Sequence, residues 1–449
     1  MTAQRKTRAG TAPRLTQIMV RGFKSLRDQT TVEVRPLTIL AGANSAGKSS
    51  IMQPLLLLKQ TLEAPFDPGP LRLDGPNVRF TQSDQVFWLK GEKARRFSVR
   101  LECSVPPSVE ITFGSSPGES IGIVSQETSG GGFDLQLRPD SEPTDLKTQI
   151  PESLFQALTE SVENGGRPRI LRAVREKCFL QLADAREHDR AKRSGGERFP
   201  VLPAFDPVPP WVSGALLGLL HLPGVRGNPE RRYPCASVGA EFAGVFQDYT
   251  ASTILSWQQG HREKRDQLNH ALELLGMTWK VEAKPVDETR VELRVGRLPH
   301  GRRGGAYDLV NIADVGFGVS QCLPVVVALV AARTHQILYV EQPEIHLHPR
   351  AQVAMAGLLA DAAKRGVRLI VETHSSLLLR SIQALVAKDE LSPDLVKLHW
   401  FTRQADGATR VDSADLDGNG AFGDWPEDFG AVELETESRY LDAVSERGG

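Results

Sequence analysis

Residues 42–49, Gly42-Ala43-Asn44-Ser45-Ala46-Gly47-Lys48-Ser49, carry the spacing G-x-x-x-x-G-K-[ST]. That spacing suits one chemistry, the holding of a polyphosphate. Glycines let successive backbone N–H groups turn inward around phosphate oxygens, and a helix opening directly afterwards adds its partial positive charge. The Lys48 ammonium is placed to reach the β- and γ-phosphates, and the Ser49 hydroxyl to hold Mg²⁺. Gly42 through Ser49, with Ser50 behind them, are therefore the expected nucleotide-binding residues, and ATP is the expected ligand.

A phosphate loop needs a strand before it and a helix after it. Leu37-Thr38-Ile39-Leu40 is an apolar, β-prone run, and Ser50 to Lys59 reads as a helix. Far along the chain, Ile337-Leu338-Tyr339-Val340-Glu341 reads as a buried strand ending in a carboxylate, which beside the loop could hold the metal shell. Val367 to Val371 is a second buried strand, and it runs into Glu372-Thr373-His374-Ser375. A histidine there can sense the γ-phosphate and position an attacking water.

Composition sets the frame for these motifs. The chain has 449 residues, 40% hydrophobic and 24% charged, as in an ordinary globular protein. Its net charge is −1, so any nucleic-acid contact needs a local basic patch. The four cysteines form no C-x-x-C pair, which argues against a zinc ribbon and suits reduced thiols in a cytosol. Residues 1–14 are polar and basic and are expected to be a frayed tail, with no secretory apolar region. The expected location is cytoplasmic.

With these motifs in view, the chain resembles the ABC-type ATPases of the RecF/SMC/OLD-like AAA group. The residues that carry the resemblance are Gly22-Phe23-Lys24-Ser25-Leu26, the loop, Glu341-Gln342-Pro343-Glu344-Ile345-His346-Leu347-His348-Pro349 and Glu372-Thr373-His374-Ser375. The resemblance implies an α/β, split P-loop fold with a mixed sheet. Lobe I would span 15–100 and lobe II 306–405, around a mainly helical insertion at 101–305, with a tail at 406–449. It also implies roles. Glu341 is the Walker B metal-side carboxylate, His374 the switch histidine, and Lys24 a further nucleotide contact. Gly316-Phe317-Gly318-Val319-Ser320-Gln321 is the signature, whose Gly318, Ser320 and Gln321 would cap the γ-phosphate of a partner subunit. Gln82 is the expected Q-loop metal contact, with Gln85 as its alternative.

The sequence departs from that group at Gln342, where the catalytic base is expected. A glutamine orients water but accepts protons poorly, so Glu341 or Glu344 takes the role or turnover is slow. The implied partners are a second copy of the chain, double-stranded DNA and an effector in trans. The implied setting is anti-phage defence, with RecF-like DNA repair or a non-hydrolysing scaffold as alternatives. Basic clusters at Arg186–Arg198, Arg226–Arg232 and Arg294–Arg303 are the candidates for DNA. Asp415 and Asp417 read as a solvated turn, because the twelfth position of an EF-hand would be Pro426. His346 and His348 read as part of the dimer seam.

Overall fold

The computed structural model describes residues 13–88, 95–115, 120–139, 141, 143–160, 168–193, 206–239, 241–298, 308–423, 438–440 and 442–443. Two six-stranded sheets dominate. The first runs in the order Leu220–Leu222, Ile337–Glu341, Arg368–Thr373, Leu37–Gly42, Val396–Arg403, Thr409–Ala414. Its first five strands are mutually parallel, and the Thr409–Ala414 strand is antiparallel. The second sheet is an antiparallel meander that starts from Thr30–Glu33 and Leu15–Arg21 and continues through Arg95–Cys103 to Phe133–Leu137.

The parallel strands are apolar because both of their faces are covered. Leu338 and Val340 face a core that includes the helices Phe317–Ala331 and Pro349–Lys364, while Ile337 and Tyr339 face the core of the antiparallel sheet. The loop strand Leu37–Gly42 is buried throughout and alternates in the same way. The helix Gln53–Leu62 is tied to the intervening segment by fully buried Lys59. Its ammonium pairs with Glu63 at 2.5 Å and donates to Phe242 O at 3.0 Å.

Several local expectations change. Ile170 to Leu182 reads as helix by sequence, but Leu171–Glu176 and Phe179–Asp184 form a β-hairpin that turns at Lys177 with φ 50°. Alternating burial of Leu171, Ala173, Leu180 and Leu182 satisfies a period of two. The Gln126 side chain also binds both main-chain groups of Leu180. Arg186 to Arg193, expected as loop, lie in the helix Ala185–Arg193. The Gly/Ser-rich stretch 114–132 contains the strand Gly122–Gly130. The two strands expected in 280–310 are Val281–Pro285 and Arg290–Gly296, and the turn between them is 286–289; the Gly/Arg run 299–307 lies outside the described residues. Thr409–Ala414 extends the parallel sheet's edge past residue 405. The intervening segment thus contributes more strand than its composition suggests.

Candidate nucleotide site

At the carboxyl edge of the parallel sheet the chain leaves Leu37–Gly42 and turns back over its own strand. The backbone requires glycine twice here. A side chain at Gly42 (φ 139°) would collide with the Phe401 carbonyl. One at Gly47 (φ 97°) would lie 2.5 Å from Thr409 Oγ1 and 2.6 Å from Ser25 Oγ. Thr409 braces the loop further by donating to Ala46 O at 2.8 Å, and its N–H donates to Ser25 O at 2.7 Å. Lys48 Nζ donates to Gly42 O (3.0 Å) and Ala43 O (2.8 Å), lying back along the loop. Burial pulls the Lys48 ammonium below its ordinary value, opposed by Glu372 and Glu344.

A cleft of about 760 Å³ opens over this loop. Lys24, Asn44 to Ser50, Gln53, Gln85, Gln342, Glu372, His374 and Arg403 line it. Lys24 Nζ donates to Gln53 Oε1 at 3.0 Å. Gln85 lines the cleft and Gln82 does not. The Gln85 side chain reaches back to the N–H groups of Thr81 and Gln82, and Gln82 caps the short turn Ser83–Val86.

The two acidic strand ends do different things. Glu341 and Glu372 are direct register partners, and Glu372 in turn pairs with Leu40 of the loop strand. The carboxylate facing Ser49 is Glu372, which accepts from Ser49 Oγ (3.0 and 2.8 Å) and from Tyr339 OH (2.9 Å). Burial, and then the Glu341 charge, push its carboxyl up. Glu341 turns the other way, toward His221 Nε2 (3.2 Å) and Gly224 N (3.1 Å). Burial would raise it, but the His221 and Gly224 hydrogen bonds and the Tyr339 hydroxyl hold it below the ordinary range. Ser49 and Glu372 line the cleft and are hard oxygen donors, whereas Glu341 is held outside its lining by His221 and Gly224. Among the described residues no group of three or more His, Cys, Asp or Glu forms a metal cage. That donor set fits a small divalent ion such as Mg²⁺ that takes its other ligands from phosphates and water.

Gln342 follows with φ 46° and lines the cleft, its N–H held by Glu372 O at 2.7 Å. Glu344 Oε1 accepts from Thr373 Oγ1 (2.7 Å) and His374 N (2.9 Å), while its Oε2 is buried with no partner. Burial, and then Lys48, lower the His374 imidazole, so it is neutral near pH 7. The expected signature, Gly316–Gln321, lies apart. Gly316 and Phe317 stand exposed at a helix start with no side-chain cap, and Gly318 is partly exposed, whereas Ser320 and Gln321 are buried. Residues 316–321 do not line the loop's cleft. His348 caps the helix Pro349–Lys364 through Arg350 N, and exposed His346 packs near Phe317. Asp415 pairs with Lys397 and Arg35, and Asp417 Oδ1 closes a turn onto Asn419 N and Ala421 N.

Two family models match separate segments of the chain. Residues 14–104 match "AAA ATPase domain", and residues 252–380 match "AAA domain, putative AbiEii toxin, Type IV TA system". Both segments are of the AAA ATPase type. The match over 14–104 contains the loop of this ATPase, and the match over 252–380 contains Gly316–Gln321, Glu341 and His374. No curated protein matches the chain. Among solved structures it is similar to an SmcHead bound to the C-winged helix domain of ScpA, at 13% identity and TM-score 0.45 over 90% of this chain and 98% of that one. It is also similar to the SMC head domain from Thermotoga maritima (11%, TM-score 0.38, 90% and 100%). A third is the Smc head domain with an extended coiled coil bound to the C-terminal domain of ScpA derived from Pyrococcus furiosus (11%, TM-score 0.45, 96% and 100%). Among the described residues, no helix of the ATPase is long and apolar enough to cross a membrane.

Sequence reading missed Glu372, His221, Gly224 and Thr409 as site residues. Glu372 ends an apolar strand just as Glu341 does, and that signal was available. His221, Gly224 and Thr409 belong to segments without a motif, and only strand pairing brings them to the loop.

Proposed function

We propose that this ATPase binds MgATP in the 760 Å³ cleft and that two copies close head to tail around two nucleotides. The observation that carries the reading is the exposed, uncapped start of the helix Phe317–Ala331, which lies outside the chain's own cleft. Its first N–H groups, which have no side-chain cap, suit an anion supplied by a second copy. Ser49 with Glu372 or Glu341 would hold Mg²⁺, which when bound neutralises phosphate charge. Lys48 leaves the Gly42 and Ala43 carbonyls for phosphate oxygens, and neutral His374 holds the attacking water by a hydrogen bond. Gln342 orients that water without accepting its proton, so turnover is slow.

Closure then controls DNA or an effector in trans, in an anti-phage defence setting suggested by the AbiEii-type family model. The DNA contact falls less on Arg226–Arg232 than composition suggests. Arg226 is buried on main-chain carbonyls and Arg231 pairs with Asp314. Of Arg186–Arg198 and Arg294–Arg303, residues 194–198 and 299–303 lie outside the described residues.

The test is ATP hydrolysis and oligomeric state for wild type and Lys48→Ala, with and without double-stranded DNA. ATP-dependent dimerisation and turnover, both lost in Lys48→Ala, is the expected result. A wild type that stays monomeric with saturating MgATP overturns the reading. A second reading, a nucleotide-gated scaffold, is favoured by Gln342 in the cleft and by Glu344 being held at Thr373 and His374. It predicts dimerisation without turnover.

A further inference from the structure

The strand Leu220–Leu222 comes from the segment between the lobes, yet it forms the edge of the parallel sheet. It pairs Leu220 with Leu338, His221 with Tyr339 and Leu222 with Val340. The turn after it therefore leaves the sheet at the same edge as Glu341, and it grips three parts of the site at once. His221 and the Gly224 N–H take the two oxygens of Glu341 at 3.2 and 3.1 Å. Arg226 Nη2 donates to Glu341 O at 2.6 Å and to Gln342 O at 3.4 Å. Arg226 Nη1 donates to Gln321 O at 3.4 Å, and Gln321 Nε2 returns a bond to Gly227 O at 2.6 Å. One eight-residue stretch thus connects the Walker B carboxylate, the turn bearing Gln342, and the first turns of the signature helix.

The gripping side chains are buried, His221 at 1% and Arg226 at 8% exposure, so these bonds do not compete with bulk water. The His221 ring stacks on Tyr339 with centroids 5.4 Å apart and planes 9° apart, which fixes its plane. Its Nδ1 lies 3.1 Å from Asn77 Oδ1, while Asn77 Nδ2 has no partner. Turning that amide over gives one consistent chain: Asn77 N–H donates to Nδ1, and Nε2–H donates to Glu341. Arg226 has no ion pair among the described residues, so its guanidinium serves the three carbonyls, which a lysine could not reach together.

From this geometry we infer that residues 220–227 form a coupling clasp, in which His221 and Arg226 are positioning residues that transmit the state of one nucleotide site to the other. The inference rests on the head-to-tail reading above. In that arrangement Glu341 stands at a subunit's own nucleotide, while the helix start at Gly316–Gly318 meets the partner's. The clasp joins the two within one chain, and it makes the intervening segment part of the nucleotide site.

The test compares His221→Leu, which removes the N–H donor at similar size, with His221→Gln, which retains a donor. Arg226→Lys is measured alongside, with circular dichroism and melting as fold checks. The readouts are ATP affinity with Mg²⁺ against EDTA, kcat against KM, and the Hill coefficient in ATP. His221→Leu is expected to lose about 10- to 100-fold of the Mg²⁺-dependent gain in ATP affinity, as removing a partner of a metal-side carboxylate does, and His221→Gln to keep most of it. Arg226→Lys is expected to lower the Hill coefficient toward one while leaving the single-site ATP affinity near wild type. Equal behaviour of His221→Leu and His221→Gln, whether both intact or both impaired, overturns the clasp, as does an unchanged Hill coefficient in Arg226→Lys. A wild type that stays monomeric with MgATP overturns the head-to-tail reading itself.

Discussion

The antiparallel sheet and the parallel sheet share a buried layer but use their charges in opposite ways. In the antiparallel sheet the strand Arg95–Cys103 buries Phe97, Val99 and Leu101, and Phe97 packs against Phe23 and Phe113 with centroids at 5.1 and 5.2 Å. Its outward charges neutralise each other, as Arg100 does with Glu102 and Glu110. The parallel sheet is covered on both faces, so its charges collect at one end. There Glu341 and Glu372 stand side by side with shifts in opposite directions, near Lys48. Between the sheets runs a seam where His399 of the parallel sheet donates from Nε2 to Glu33 O (3.0 Å) and Nδ1 accepts from Ser413 Oγ (2.7 Å). The antiparallel sheet therefore supplies stability, and the parallel sheet stores poised charge where solvent is limited.

The sharpest way to break that contrast is Phe97→Ala. Truncating this ring is expected to cost about 3–5 kcal/mol of folding stability in denaturant melts. The ATP affinity of the molecules that remain folded should be unchanged; a weakened affinity would show that the antiparallel sheet shapes the cleft.

The seam comes next. Burial drives the His399 imidazole from 6.5 to about 4, so the folded state keeps it neutral while the unfolded chain protonates below 6.5. The stability this contributes is present above pH 6.5 and is lost as pH falls toward 4, by at most about 3 kcal/mol. The stability gap between wild type and His399→Gln should narrow over that window, and a gap independent of pH would contradict the assignment.

Glu372→Gln is expected to have the smallest effect on stability and an informative sign. Because the folded carboxyl is raised, the wild type loses stability as pH rises from about 4.5 through the raised value. The variant escapes that loss, so its melting temperature relative to wild type should climb as pH rises above about 4.5. In the same variant Mg²⁺-dependent ATP affinity should fall about 10- to 100-fold, the usual range when a metal-side partner is lost. An ATP affinity that is unchanged with Mg²⁺ would assign the metal side to Glu341 alone.

The loop, the strand ending in Glu341 and the strand running into His374 were legible because each is local: a glycine spacing, or an apolar run with a polar residue at its end. The hairpin at 171–184 was not legible, since its apolar spacing also fits a helix and the choice was made by Gln126 from another strand. Gln82 and Gln85 are three residues apart, and only the fold of the turn places one of them in the cleft.

By itself the sequence pointed to a phosphate loop at Gly42–Ser50 and to two buried strands, one ending in the Glu341 carboxylate and one running into His374. These follow from steric rules and hydrophobic periodicity, which act over a few residues. The tertiary structure decided which carboxylate meets Ser49. The register that pairs Glu341 with Glu372 also puts Leu220–Leu222 beside Glu341, where His221 and Gly224 capture its oxygens and leave Glu372 to Ser49. Such a choice depends on contacts between residues more than a hundred positions apart, and no local pattern encodes it.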